Sequence, residues 1–92
     1  MIKAHNYSGS KYLAVTGTSA RVGPFDAQEL VIYSPVTVHI CIGDSSVTAS
    51  KGDGSFPVKA GDTFSTRIVQ GQYVAAIQDS IAGTISVIPI KL

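Results

Sequence analysis

The sequence predicts one small all-β domain, an antiparallel sandwich or jelly-roll-like barrel. Three observations predict it. Apolar residues alternate with polar ones in nearly every patterned segment, the period of a half-buried strand. Turn-forming clusters of Gly, Pro, Asp and Ser recur about every 8–12 residues, the spacing of sandwiches and barrels. No window places apolar residues at i, i+3, i+4 and i+7 over three helical turns. With 92 residues there is room for one domain.

Residues 1–10 are polar and lack alternation, so they are expected to form an amino-terminal arm, with the β-domain spanning 11–92. Lys11–Val15 and Ser19–Val22 are the first expected strands. Glu29–Tyr33 is the next, and Ser34-Pro35 separates it from Val36–Ile42. In the latter, Val36, Val38, Ile40 and Ile42 share one face, and Thr37, His39 and Cys41 the other. The four β-branched residues suit a pleated surface against a core. A tight antiparallel hairpin is expected between these two strands, with Pro35 in the turn. Gly43-Asp44-Ser45-Ser46 is a turn, Val47–Ala49 a short extended piece, and 50–55 the most loop-like stretch. Phe56–Lys59 leads through the turn Ala60-Gly61-Asp62 into Thr63–Val69, where Phe64, Thr66 and Ile68 share a side. Tyr73–Ile77 follows the turn at Gly71. Thr84–Ile88 follows the turn at 79–83, with Pro89 near its end.

Composition narrows the function. Apolar residues make up 45% and charged residues 14% of the chain, where soluble domains carry about 25% charge. Such a surface is expected to be partly covered by a partner or by further copies. The net charge is +1 with no Lys or Arg run, so nucleic acid is not an expected partner. No apolar stretch approaches the roughly 20 residues of a membrane-spanning helix, and no membrane is expected as partner. No apolar signal segment follows Met1–Asn6, so the protein is expected to stay in the compartment where it is made.

Candidate chemistry is sparse. His5, His39 and Cys41 are the soft metal ligands available, fewer than a structural zinc site takes. Cys41 lacks a base within direct hydrogen-bond reach, because His39 lies two residues away, about 6–7 Å along the same face. Asp44, Asp53, Asp62 and Asp79 all fall in turns, where aspartate bonds its own backbone. The terminal glutamate of a calcium loop is missing. A glycosidase pair needs two carboxyls flanking a cleft; Glu29 is the sole glutamate, and the sequence gives no hint of a cleft. No catalytic, cofactor-binding or metal-binding residue is assigned, no cofactor is expected, and the chain is expected not to be an enzyme. Ile2, Tyr7 and Tyr12 are the candidate interface residues, because apolar side chains in or beside a polar arm suit a subunit contact.

The run Gly43-Asp44-Ser45-Ser46-Val47-Thr48-Ala49, the turn Pro57-Val58-Lys59-Ala60-Gly61-Asp62-Thr63-Phe64 and the strand Tyr73-Val74-Ala75-Ala76-Ile77 together carry a resemblance. Across residues 27–90 the chain resembles small proteins encoded among the virion genes of tailed bacteriophages and prophages. The resemblance implies a virion structural protein that decorates or cements the capsid. It implies the major capsid protein as partner, a homo-oligomer with a trimer favoured over a dimer, synthesis in the host cytoplasm and a final location on the capsid surface. A receptor- or carbohydrate-binding module of a tail structure is the alternative. The turn Val58–Phe64 is also similar to one in cupin-type barrels, but that family's metal-binding histidines have no counterparts here. The likeness therefore implies a fold and disfavours a small barrel enzyme.

Overall fold

The computed structural model describes residues 6–7, 10–52 and 54–91, with the backbone alone considered at 6 and 7. Among the described residues, nine strands form two antiparallel sheets. The strands are β1 (Asn6–Tyr7), β2 (Lys11–Val15), β3 (Ala20–Val22), β4 (Glu29–Tyr33), β5 (Val38–Gly43), β6 (Phe56–Val58), β7 (Thr63–Arg67), β8 (Tyr73–Gln78) and β9 (Gly83–Lys91). The first sheet runs β9-β4-β7, with β1 and β2 both on the far side of β9. The second runs β3-β8-β5-β6.

The pairing has a simple rule. Strand β2 pairs with β9, β3 with β8, β4 with β7 and β5 with β6. The chain is thus one long antiparallel ribbon folded back at the β5–β6 connection. Rolling that ribbon brings β4 beside β9 and β5 beside β8. This is the eight-stranded jelly roll, in which two Greek keys share a core.

Alternation decides what each strand buries. Leu30 and Ile32 of β4 and Ile85 and Val87 of β9 project from one sheet; Val38 and Ile40 of β5 and Val74 and Ala76 of β8 project from the other. All eight are 0% exposed. Val15, Phe25 and Val58 complete this cluster, with Phe56, Phe64 and Ile68 packed at its side. Each large aliphatic so buried contributes roughly 1.5–3 kcal/mol of transfer free energy.

Two sequence expectations are revised. First, β4 and β5 do not form a hairpin: they lie in different sheets. Ser34 turns the chain between them. It is fully buried, its hydroxyl donates to Val36 O, and its backbone joins the 59–62 turn through Gly61 N to Ser34 O at 2.8 Å. Both strands carry an apolar face toward the same core. Period-two alternation alone reads the same whether two such strands are neighbours or face each other across the sandwich.

Second, β9 runs through Pro89 to Lys91, although proline donates no ladder bond. The Ile68 N–H donates to Gln28 O at 2.9 Å. Alternation then turns Glu29 and its partner Ile90 toward each other, and Pro89 away from β4. On that far side β2 stops at Lys11, opposite Val87, and β1 begins at Tyr7, opposite Ile90. The proline nitrogen therefore faces away from β4 and costs that pairing no donor. The arm expected at 1–10 contributes β1, whose Asn6 and Tyr7 pair with β9 of the same chain.

Candidate docking surface

Each sheet has an outer face, and the two are finished differently. On the β3-β8-β5-β6 sheet, that face carries Arg21, Cys41, His39, Ala75 and Ile77. The chain covers part of it with residues 44–52 of the β5–β6 connection. This segment leaves β5, reaches past β8 to β3, and returns to β6. The Ala49 N–H donates to Ser19 Oγ at 2.8 Å, and Arg21 Nη1 donates to Val47 O at 3.4 Å. Ala75 points outward by alternation yet is 0% exposed, as a covered face requires.

The Gly43–Ala49 run explains how this cover is anchored. Asp44 Oδ1 accepts from the Ser46 N–H at 2.8 Å and from Ser46 Oγ at 2.6 Å, closing a local Asx turn. Val47 sits so close to Gly43 that a Cβ there would lie 3.1 Å from Val47 Cγ2. The motif is a structural clasp.

The clasp has an expected pH signature. The Ser46 hydroxyl, then the Ser46 N–H, hold the Asp44 carboxyl below the usual aspartate value. The carboxylate is therefore favoured in the folded state. Its contribution is complete above the unfolded titration range and is lost only as pH falls through the lowered folded value. A carbon-detected NMR titration is expected to show the Asp44 midpoint below that of an unstructured aspartate, rising toward it in Ser46→Ala. An unchanged midpoint in the variant would show that the clasp bonds do not stabilise the charge.

His39 and Asp79 form the second polar feature of this sheet. His39 Nε2 lies 2.9 Å from Asp79 Oδ1, with the side chains 14% and 47% exposed. The contact ties β5 to the turn after β8, beside a shallow groove of about 190 Å³ between the 35–37 corner and the 79–81 turn. Cys41 is half-buried on the same face, opposite Ala75. Among the described residues no group of three or more His, Cys, Asp and Glu side chains is placed to hold a metal ion. Asp53 lies outside the described residues.

Apart from its end at Ile90, which is 8% exposed, the outer face of the β9-β4-β7 sheet has no such cover among the described residues. Register places Tyr12, Ser86, Tyr33 and Thr63 in one row across β2, β9, β4 and β7. Tyr12 is 70% and Tyr33 41% exposed. They stand two strand spacings apart, about 9–10 Å. Ala14 and Thr84 lie on one side of the row, and the half-buried Val31 and Ile88 on the other. The charges of this face, Glu29 and Arg67, stand together at one end, with Arg67 Nε 3.9 Å from Glu29 Oε2. An exposed pair of this kind contributes little stability. Its effect is to leave the centre of the face neutral.

Of the residues expected at an interface, Tyr12 lies on this open face. Ile2 lies outside the described residues, and the Tyr7 backbone forms part of β1. Sequence reasoning missed Tyr33, because its partnership with Tyr12 exists only through Ser86 of a strand more than fifty residues along the chain. Among the described residues no helix is long and apolar enough to cross a membrane. Comparison of the chain with protein-family models, curated proteins and solved structures found no match.

Proposed function

We propose that this chain is a non-catalytic building block that works by docking, and that it decorates or cements a phage capsid as a homo-oligomeric virion structural protein. The observation that supports docking is the asymmetry of the sandwich. One outer face is partly covered by residues 44–52 of the chain, while the other presents Tyr12, Val31, Tyr33 and Ile88 with neutral hydroxyls and, among the described residues, no charge at its centre. Interface cores are depleted in charge and enriched in tyrosine in this way. The capsid as the docking surface rests on the sequence resemblance, and the jelly roll is compatible with it because viral capsid proteins use that architecture. Fold does not assign function, since lectins and cupins share it.

The test is co-sedimentation with empty capsids. The double variant Tyr12→Ser/Tyr33→Ser is expected to weaken binding about tenfold or more, because central interface tyrosines carry a disproportionate share of the energy. Both side chains are exposed, so its melting temperature should stay close to that of the parent. Undiminished capsid binding by the folded double variant would remove this face from the proposal.

The Tyr12–Ser86–Tyr33–Thr63 row also favours a second reading, a carbohydrate-binding module. Two aromatic rings flanked by hydroxyls offer stacking surfaces and hydrogen-bond partners to a neutral sugar chain. A glycan array separates the two readings, because capsid docking predicts no signal that depends on Tyr12 and Tyr33.

A further inference from the structure

A jelly roll is not fully closed, so each sheet ends in edge strands whose free N–H and C=O groups can pair with another chain. Among the described residues, the β6 and β3 edges are obstructed. On β6, Ile40 pairs with Phe56 and Val38 with Val58. The Asp79 N–H donates to Thr37 O, so odd residues of β5 turn toward β8 and even ones toward β6. Pro57 therefore faces outward, where it removes the edge donor. On β3, the 47–49 segment lies against Ser19 and Arg21. Strand β2 shares its side of β9 with β1 and contacts β3 at the corner.

Strand β7 is different. Ile68 N–H donates to Gln28 O at one end, and Ser34 N–H donates to Asp62 O at the other. Both bonds place residues 62, 64, 66 and 68 toward β4. Thr63, Ser65 and Arg67 consequently turn their backbone groups outward. The strand holds five residues without proline, and its outward side chains are exposed. Arg67 O already accepts from Thr66 Oγ1 at 3.2 Å, which leaves its second lone pair.

We propose that β7 is a homodimer edge, pairing antiparallel with β7 of a second copy about a two-fold axis through Ser65. This rests on the homo-oligomer reading and names the contact. In that register Ser65 faces Ser65 of the partner subunit, and Thr63 of each copy faces Arg67 of the other. These are the outward-facing positions, so three hydrogen-bonded pairs form, with six ladder bonds. Pairing at any other isologous centre shortens the ladder or opposes inward-facing backbone groups. The result is one continuous sheet across both copies, with the two Tyr12–Tyr33 rows on a common outer surface. A β7–β7 contact is isologous and generates a dimer, in place of the trimer expected from the sequence.

The test combines three single substitutions in a Cys41→Ser background. Ser65→Cys is expected to form a disulfide-linked dimer under mild oxidation, because directly opposed hydrogen-bonded residues have Cα atoms about 5.5 Å apart. Thr63→Cys is not, because two copies of Thr63 lie about four residues apart along the shared ladder. Ser65→Pro deletes an outward donor while sparing every bond to β4, and is expected to weaken dimerisation by about tenfold or more in sedimentation velocity. Should Ser65→Pro not fold, Ser65→Lys puts like charges face to face at an exposed site and should give the same loss. An oligomeric parent whose assembly is unchanged by Ser65→Lys, with no Ser65→Cys cross-link, overturns the β7 contact and leaves the homo-oligomer reading standing. A parent that is monomeric at high micromolar concentration overturns both.

Discussion

Leu30→Ala is expected to cost about 2–5 kcal/mol, the range for truncating a leucine in a packed core. Leu30 is 0% exposed and lies in β4, the strand flanked by β7 and β9 in the centre of its sheet. A domain of this length holds roughly 5–14 kcal/mol in total, at about 0.05–0.15 kcal/mol per residue. The variant should therefore lose a large part of its stability. The informative comparison is Val31→Ala, one residue along. Val31 points to the open outer face and is half-buried, so its truncation should cost about 1 kcal/mol or less. Urea unfolding followed by circular dichroism measures both. Equal costs would mean that the outer face is as well covered as the core, and the docking surface would then not be open.

The second large effect is expected at Gly23, which joins β3 to the Phe25 segment. Its φ is +144°, a region that side-chain-bearing residues rarely adopt. A Cβ there would also lie 3.0 Å from two ring carbons of Tyr73 and 3.1 Å from its Cα. The ring could shift; the backbone of β8 is held in its sheet by β3 and β5. Gly23→Ala should therefore carry both a backbone cost, of order 1–3 kcal/mol, and an overpacking cost, of about 1–3 kcal/mol. Gly61→Ala is the control. Its φ is +84°, but nothing lies within 4 Å of a Cβ there, so only a backbone cost of about 1–2 kcal/mol should be felt. If thermal unfolding ranks the two equally, the close approach to Tyr73 is not limiting.

These expectations bear on the proposed docking because the shared core holds β2, β9 and β4 in the register that brings Tyr12 and Tyr33 into one row. A shift of one residue in β2 against β9 would turn Tyr12 inward and Leu13 outward. The proposed docking through this face thus depends on strand register, and so does the proposed dimerisation through β7, whose outward groups are selected by its register on β4.

Much of this molecule was legible from alternation alone. The all-β class, the inward set Val38 and Ile40 against the outward set His39 and Cys41, and the shared side of Phe64, Thr66 and Ile68 all follow from side chains alternating at period two. That rule is local, so a single sequence carries it. What alternation does not carry is the identity of the neighbouring strand. Glu29–Tyr33 and Val38–Gly43 adjoin in sequence yet belong to opposite sheets, while Tyr12 meets Ser86 and Tyr33 meets the same Ser86 from the other side. Pro89 looked like an end and lies inside β9, because its missing donor falls on the side away from β4. Val47–Ala49 read as one more extended piece and serves as the cover of a sheet. In each case a local pattern had several compatible partners. The choice among them was made by rolling a ribbon around one core, where burying Leu30, Ile40, Ile85 and their neighbours together outweighs any single local pairing.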